Sequence, residues 1–235
     1  MTSSSFYLVL ENDSSREYYP ANSLTRFTTR LPRQHDLHGE WEVGLVEIRY
    51  PHNWYNVPAG TEVKCGTRTF SVPEGYYQRP GLLLSMIERI ARDQTFDLDY
   101  NPVERKIQID NGRIWFDRHL QRLFGLPSPR LSSKKQPVQR GVVDMDPLHC
   151  LFVYCDLVEP RVVGDKMAPL LRDVAVSGED GDVTGRTFKN PHYVPLSRKS
   201  FDTVTIDIRN DIGESIPFEG GHLKVTLHFK KSTIW

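Results

Sequence analysis

With 235 residues and 38% hydrophobic content, the chain can bury one sizeable core, which excludes a disordered polymer. Thirty basic residues balance thirty acidic ones, so no global field is present to hold polyphosphate, and dedicated nucleic-acid coating is disfavoured. Three cysteines, Cys65, Cys150 and Cys155, are an odd and irregularly spaced set. They read as small core residues in a reducing compartment and not as a disulfide framework.

The elements are taken in chain order. Met1-Thr2-Ser3-Ser4-Ser5 has no basic segment leading an apolar run, and no stretch is apolar for long enough to span a bilayer, so a protein made in the cytosol is expected. Phe6 to Leu10 is a first strand, the polar stretch from Glu11 to Asn22 a loop, and Ser23 to Leu31 a second strand. Pro32 to Gly39 reads as a connection. Trp41 to Pro51 is a long strand in which Trp41, Val43 and Leu45 share one face. The phase then slips, and Val46, Ile48 and Tyr50 continue the apolar set, which predicts a bulge near Gly44. Short strands follow at Glu62 to Cys65 and Thr69 to Val72, split by a turn at Gly66-Thr67.

Leu83, Ile87 and Ile90, with Leu84 and Ala91 alongside, predict an amphipathic helix opened by Pro80 and Gly81. Strands are expected at Phe96 to Tyr100, Arg105 to Ile109 and Ile114 to Phe116. Asp117 then caps a short helix through Leu120, Leu123 and Phe124, stopped by Gly125 and Pro127. Ser128 to Gly141 lacks an apolar pattern and reads as a flexible loop. Beyond it Leu151 to Asp156 is an apolar run. Asp173 to Val176 and Val183 to Phe188 flank Gly178-Glu179-Asp180-Gly181, a hairpin signal. Thr203 to Ile208 and Leu223 to Phe229 alternate strictly and close the chain with strands. The sum is roughly ten strands and two short helices in one domain, residues 1–235. The fold class is all-β: two antiparallel sheets packed face to face, most simply a single jelly-roll sandwich.

No motif carries catalysis. His35 and His38 do not share a strand face, and His222 and His228 stand about 20 Å apart on an extended strand, so neither pair chelates. A Gly-x-Ser-x-Gly elbow and a phosphate loop are both missing from the sequence. No cofactor and no catalytic or metal-binding residue is expected. Basic residues gather at Arg130, Lys134, Lys135 and Arg140, where a solvated loop is the plain interpretation and phosphate contact the sharper one. Trp54, Tyr55, Tyr76 and Tyr77 form a glycan or peptide platform or else fill the mouth of a sandwich.

Several segments line up, in order, with one family. They are Phe6-Tyr7-Leu8-Val9-Leu10, Thr28-Thr29-Arg30-Leu31-Pro32, Gly39-Glu40-Trp41-Glu42-Val43-Gly44-Leu45 with Tyr50-Pro51, and Val72-Pro73-Glu74-Gly75-Tyr76-Tyr77. Later come Val158-Glu159-Pro160, Val163-Gly164-Asp165, Ala168-Pro169-Leu170-Leu171-Arg172 and Asn190-Pro191-His192-Tyr193-Val194-Pro195. Phe218-Glu219-Gly220-Gly221 and Val225-Thr226-Leu227-His228-Phe229 complete the set. The chain resembles the minor capsid (penton) proteins of Polintons, or Mavericks, which are large virus-like DNA transposons. The resemblance implies a non-enzymatic single jelly-roll whose pentamers occupy icosahedral vertices beside a double jelly-roll major capsid protein. The protein would belong to the virion, made in the host cytoplasm, with the nucleus as a place where it could be assembled. Membrane spanning is not implied, and nucleic-acid contact is not expected.

A five-fold ring needs two different patches on each subunit that meet and close, burying on the order of 2,000 Å² per interface. The loop tips at Trp54 and Tyr55 and at Leu196 to Phe201, together with the terminal Trp235, are the candidate contact residues. The alternative function is a β-sandwich binding module for a glycan or protein ligand, in a host-domesticated form. A jelly-roll enzyme ranks last.

Overall fold

The computed structural model describes residues 4–92, 96–132, 141–146 and 148–232. Its first elements are β1 (Ser5–Glu11), β2 (Arg26–Asp36), β3 (Trp41–Pro51), β4 (Glu62–Cys65) and β5 (Arg68–Ser71). Helix α1 (Pro80–Ile90) precedes β6 (Asp97–Asn101), β7 (Lys106–Asn111) and β8 (Arg113–Phe116), and α2 (Arg118–Leu123) precedes β9 (Arg130–Ser132). The rest is strand: β10 (Cys150–Cys155), β11 (Arg161–Val163), β12 (Lys166–Ala168), β13 (Leu170–Ala175), β14 (Val183–Thr187), β15 (Tyr193–Pro195), β16 (Ser200–Arg209) and β17 (Lys224–Lys231). One domain is the expectation over 1–235; the chain divides into two compact units, Met1–Trp54 with Leu148–Trp235, and Tyr55–Pro147.

The first unit is built from alternating strands. Val225, Leu227 and Phe229 of β17 and Val204, Ile206 and Ile208 of β16 are all fully buried, while their neighbours in sequence face outward. One sheet has the order β1-β17-β3-β14, with β15 also paired to β3, and the other the order β13-β10-β16-β2. The eight longer strands pair first with last, second with seventh, third with sixth and fourth with fifth, always antiparallel. This is a long hairpin, bent between β10 and β13 and rolled so that successive pairs fall in alternate sheets: a jelly roll. The two inner faces share one core that includes Leu10, Phe27, Leu45, Ile48, Val153 and Ile206.

The phase slip in β3 is real but lies past Gly44. Thr226 pairs with Glu47 and Leu227 with Leu45, which leaves Val46 as the extra residue. Trp41, Val43 and Leu45 are buried before the bulge and Ile48 and Tyr50 after it, with Val46 half-buried. The connection expected at 32–39 is corrected as well, because β2 runs on to Asp36. Pro32 is tolerated there because β2 is an edge strand. The expected hairpin around Gly178 to Gly181 does not form, since β13 and β14 lie in different sheets. Gly178 and Gly181 do turn the chain, at φ +91° and +92°. However, the turn is fastened to the end of β3: Gly181 N donates to His52 O at 2.7 Å and His52 N to Asp182 O at 2.8 Å.

The second unit lies in sequence between β3 and β10. It holds a sheet of order β5-β4-β8-β9, the β6–β7 hairpin, and both helices. Helix α1 buries Leu83, Leu84 and Ile87 as its periodicity requires. Asp117 caps α2 by accepting from Leu120 N at 2.9 Å, and its other carboxylate oxygen accepts from Glu62 N at 2.9 Å. Gly125 ends the helix at φ +61°, and a Cβ there would sit 2.6 Å from Val142 O. Part of the segment expected to be a flexible loop, 128–141, is a strand: Arg130 pairs with Trp115 and Ser132 with Arg113. Residues 133–140 lie outside the described residues.

Candidate functional site

Among the described residues no group of three His, Cys, Asp or Glu side chains is arranged to hold a metal ion. Two of the histidines show the kind of contact they make instead. His35 stacks on Phe6 and Phe201 at ring separations of 5.0 and 5.6 Å. His119 Nε2 meets Asn56 O at 2.8 Å. The thiols of Cys65 and Cys155 are pushed up by burial to about 11 and about 12, so both are protonated small core residues at neutral pH. Cys150 is half-buried, and its thiol is raised by burial and by Asp173.

The outer face of the first sheet carries a row of groups set by register. Tyr7 of β1 is opposite His228 of β17, His228 opposite Gly44 of β3, and Gly44 opposite Tyr193 of β15. A Cβ on Gly44 would come within 3.1 Å of His192 O and 3.2 Å of the Tyr193 ring. The missing side chain therefore lets Tyr193 reach across, where its Oη lies 2.7 Å from His228 Nδ1. The Tyr7 ring stacks on His228 at 4.4 Å, and Lys230 Nζ lies 3.8 Å from the Tyr193 ring centre and 3.0 Å from Glu42 Oε1. Burial, followed by the Lys230 charge, lowers the His228 pKa, and burial raises that of the Tyr193 hydroxyl. The row borders a depression of about 380 Å³ that Phe188 and Pro191 also line.

The candidate contact residues fall into three groups. Trp54, Leu196 and Phe201 are packed inside their own unit and are 3, 5 and 4% exposed. Trp54 stacks on His52 at 4.1 Å and meets Phe218 edge-on, and Phe201 stacks against Phe229. Burial of Trp54 also removes it from the aromatic platform considered with Tyr55, Tyr76 and Tyr77. Tyr55 is half-buried in the second unit, and Trp235 lies outside the described residues. Exposed apolar surface occurs at other places. Val162 and Met167, directly opposite each other on the β11–β12 hairpin, are 73 and 64% exposed. Tyr7 and Val9 stand out from β1, and Val183 from β14, the two opposite edge strands of one sheet. The sequence carried no signal for these, because an exposed valine and a buried one look alike without the pairing partner.

No protein-family model matches the chain, and no curated protein does. The fold is similar to the crystal structure of the mavirus penton protein, at a TM-score of 0.51 and 11% identity, over 97% of this chain and all of that one.

Proposed function

We propose that the chain is a non-enzymatic structural capsid protein: a penton whose homopentamers form the vertices of an icosahedral virus-like particle encoded by a Polinton (Maverick) DNA transposon. The observation that carries this is the jelly-roll pairing order together with a likeness to a penton protein that runs over 97% of the chain. Its partners are four further copies of itself and a double jelly-roll major capsid protein, and it works in a particle assembled in the host cytoplasm or nucleus.

The physical features of the subunit support a ring. A closed ring joins one patch on each subunit to a different patch on the next. The first unit offers such unlike patches: Tyr7 and Val9 on one edge strand, Val183 on the opposite edge, and the Val162–Met167 pair on its own hairpin. Exposed apolar groups of this kind mark contact sites when they are gathered at an edge or tip. Equal numbers of acidic and basic residues spare five packed copies from mutual repulsion. Tyr55 and Trp235 remain contact candidates beside them.

Native mass spectrometry of the full chain tests the proposal. A five-fold species is expected, and Val162→Lys with Met167→Lys should reduce it to single subunits that melt at the same temperature. A chain that stays monomeric at high concentration, with and without a major capsid protein, or that forms trimers, overturns the proposal.

A further inference from the structure

The sheet β5-β4-β8-β9 is apolar on one face; the other carries Lys64, Arg113 and Arg130 together, with one acid, the exposed Glu62, two residues from Lys64 at the start of β4. Val63, Cys65, Ile114 and Phe116 point into the core of the second unit. The alternate residues Lys64, Arg113, Trp115 and Arg130 face the other way, and the three cations are exposed. Register sets Lys64 and Arg130 directly opposite Trp115 from the two flanking strands. Arg113 lies two residues back along β8, opposite Ser132. Together these residues line an open groove of about 890 Å³ with no acidic side chain among the described residues of its wall.

In a chain with as many acids as bases, three cations gathered along one groove are a local excess that attracts a polyanion. The indole specifies the polyanion further. Strands about 4.8 Å apart put the backbones of Lys64 and Arg130 about 10 Å from each other with Trp115 between them, and Lys64 Nζ is 4.7 Å from the ring centre. A planar ring bracketed by cations suits a base stacked on the indole with its backbone phosphates on the amine and guanidinium groups. An aromatic standing on the face of a four-stranded sheet serves unpaired bases elsewhere in the same way. Duplex DNA keeps its bases stacked inside and would leave the ring unused, and a sulphated sugar would engage the cations without the π-face contact.

We propose that this groove binds single-stranded nucleic acid through Trp115, Lys64, Arg113 and Arg130. The inference concerns the second unit alone and holds whether or not the chain forms rings.

The test is fluorescence anisotropy of a labelled oligothymidine with the full-length protein across a salt series. Three cations at about 0.7 counterions each predict a log–log salt slope near −2. Lys64→Gln, Arg113→Gln and Arg130→Gln combined should weaken binding at least tenfold and flatten that slope. Trp115→Leu should weaken binding about 5- to 100-fold and leave the slope unchanged, as expected for the loss of one stacked base. No binding at low salt, binding that survives the triple substitution, or binding of heparin and duplex but not oligothymidine each overturns the proposal. The three glutamine substitutions are at exposed positions, so they decide the matter even if Trp115→Leu fails to fold.

Discussion

Gly44 shows how much one absent side chain can organise. Its position in the middle of β3 is not a turn, and its value lies in the space it leaves for the Pro191–Tyr193 backbone and for the Tyr193 ring. Gly44→Ala should force the neighbouring chain outward by a few tenths of an ångström and lower stability by about 1–3 kcal/mol in denaturant titrations. It should also lengthen the contact between Tyr193 and His228. That histidine, and His35 between two phenylalanines, both have pKa values lowered below 6.5, chiefly by burial. Lys230 and Arg33 act in the same direction, while Asp36 partly offsets the effect at His35. The folded chain thus holds these protons less tightly than the unfolded one, so the unfolded state takes up more of them as pH falls below about 6.5. Stability should be full above that pH and decline as it drops through the range. Replacing both histidines with glutamine should flatten the decline, as read by melting temperature against pH.

At the scale of elements, Asp117 has a double duty. One oxygen caps α2 and the other holds Glu62 N at the start of β4. Asp117→Ala should therefore cost more than an ordinary cap, about 2 kcal/mol in urea unfolding, and Asp117→Asn should recover part of it. The cap, α1 and the strands β16 and β17 were all legible in the sequence, because each has a local period or a local stop residue. The elements that were not legible share one physical cause. The turn at Gly178 and Gly181 has hairpin chemistry, but φ above zero fixes a bend and not the sheet in which the next strand will pair. Short strands such as β9 and β11 have too few residues to display alternation. The same applies to the sites. Leu196 and Phe201 look like loop-tip anchors in the sequence, yet cross-strand partners draw them into the core. Lys64 and Arg113 look unrelated to Arg130 until the register of β4, β8 and β9 puts them on one face. The bulge expected near Gly44 has Val46 as its extra residue, and Gly44 itself is a point of close approach.

For the molecule as a whole, the pairing order decides how it can form. Among the described residues β1 pairs only with β17, and β2 only with β16, so more than 160 residues of chain separate the partners. Contacts of such long sequence separation slow folding, because the entropy of closing the loop must be met before the contact is gained. Refolding of the first unit should take about a second or longer, followed by tryptophan fluorescence from Trp41 and Trp54, which are buried there. Substitutions in β17 such as Leu227→Ala should cost about 2–5 kcal/mol.

The insertion of residues 55–147 between β3 and β10 gives synthesis on the ribosome an unusual order. The opening strands emerge first with nothing to pair with, whereas every strand of the second unit finds its neighbours within that unit. The middle of the polypeptide can thus become ordered while the segment ahead of it stays open, and the earliest strands wait for the last one made. Until β17 emerges, β1 lacks its one paired edge and the cover over its inward residues Leu8 and Leu10, so a nascent chain stalled short of its final strand is the form most prone to join the wrong neighbour.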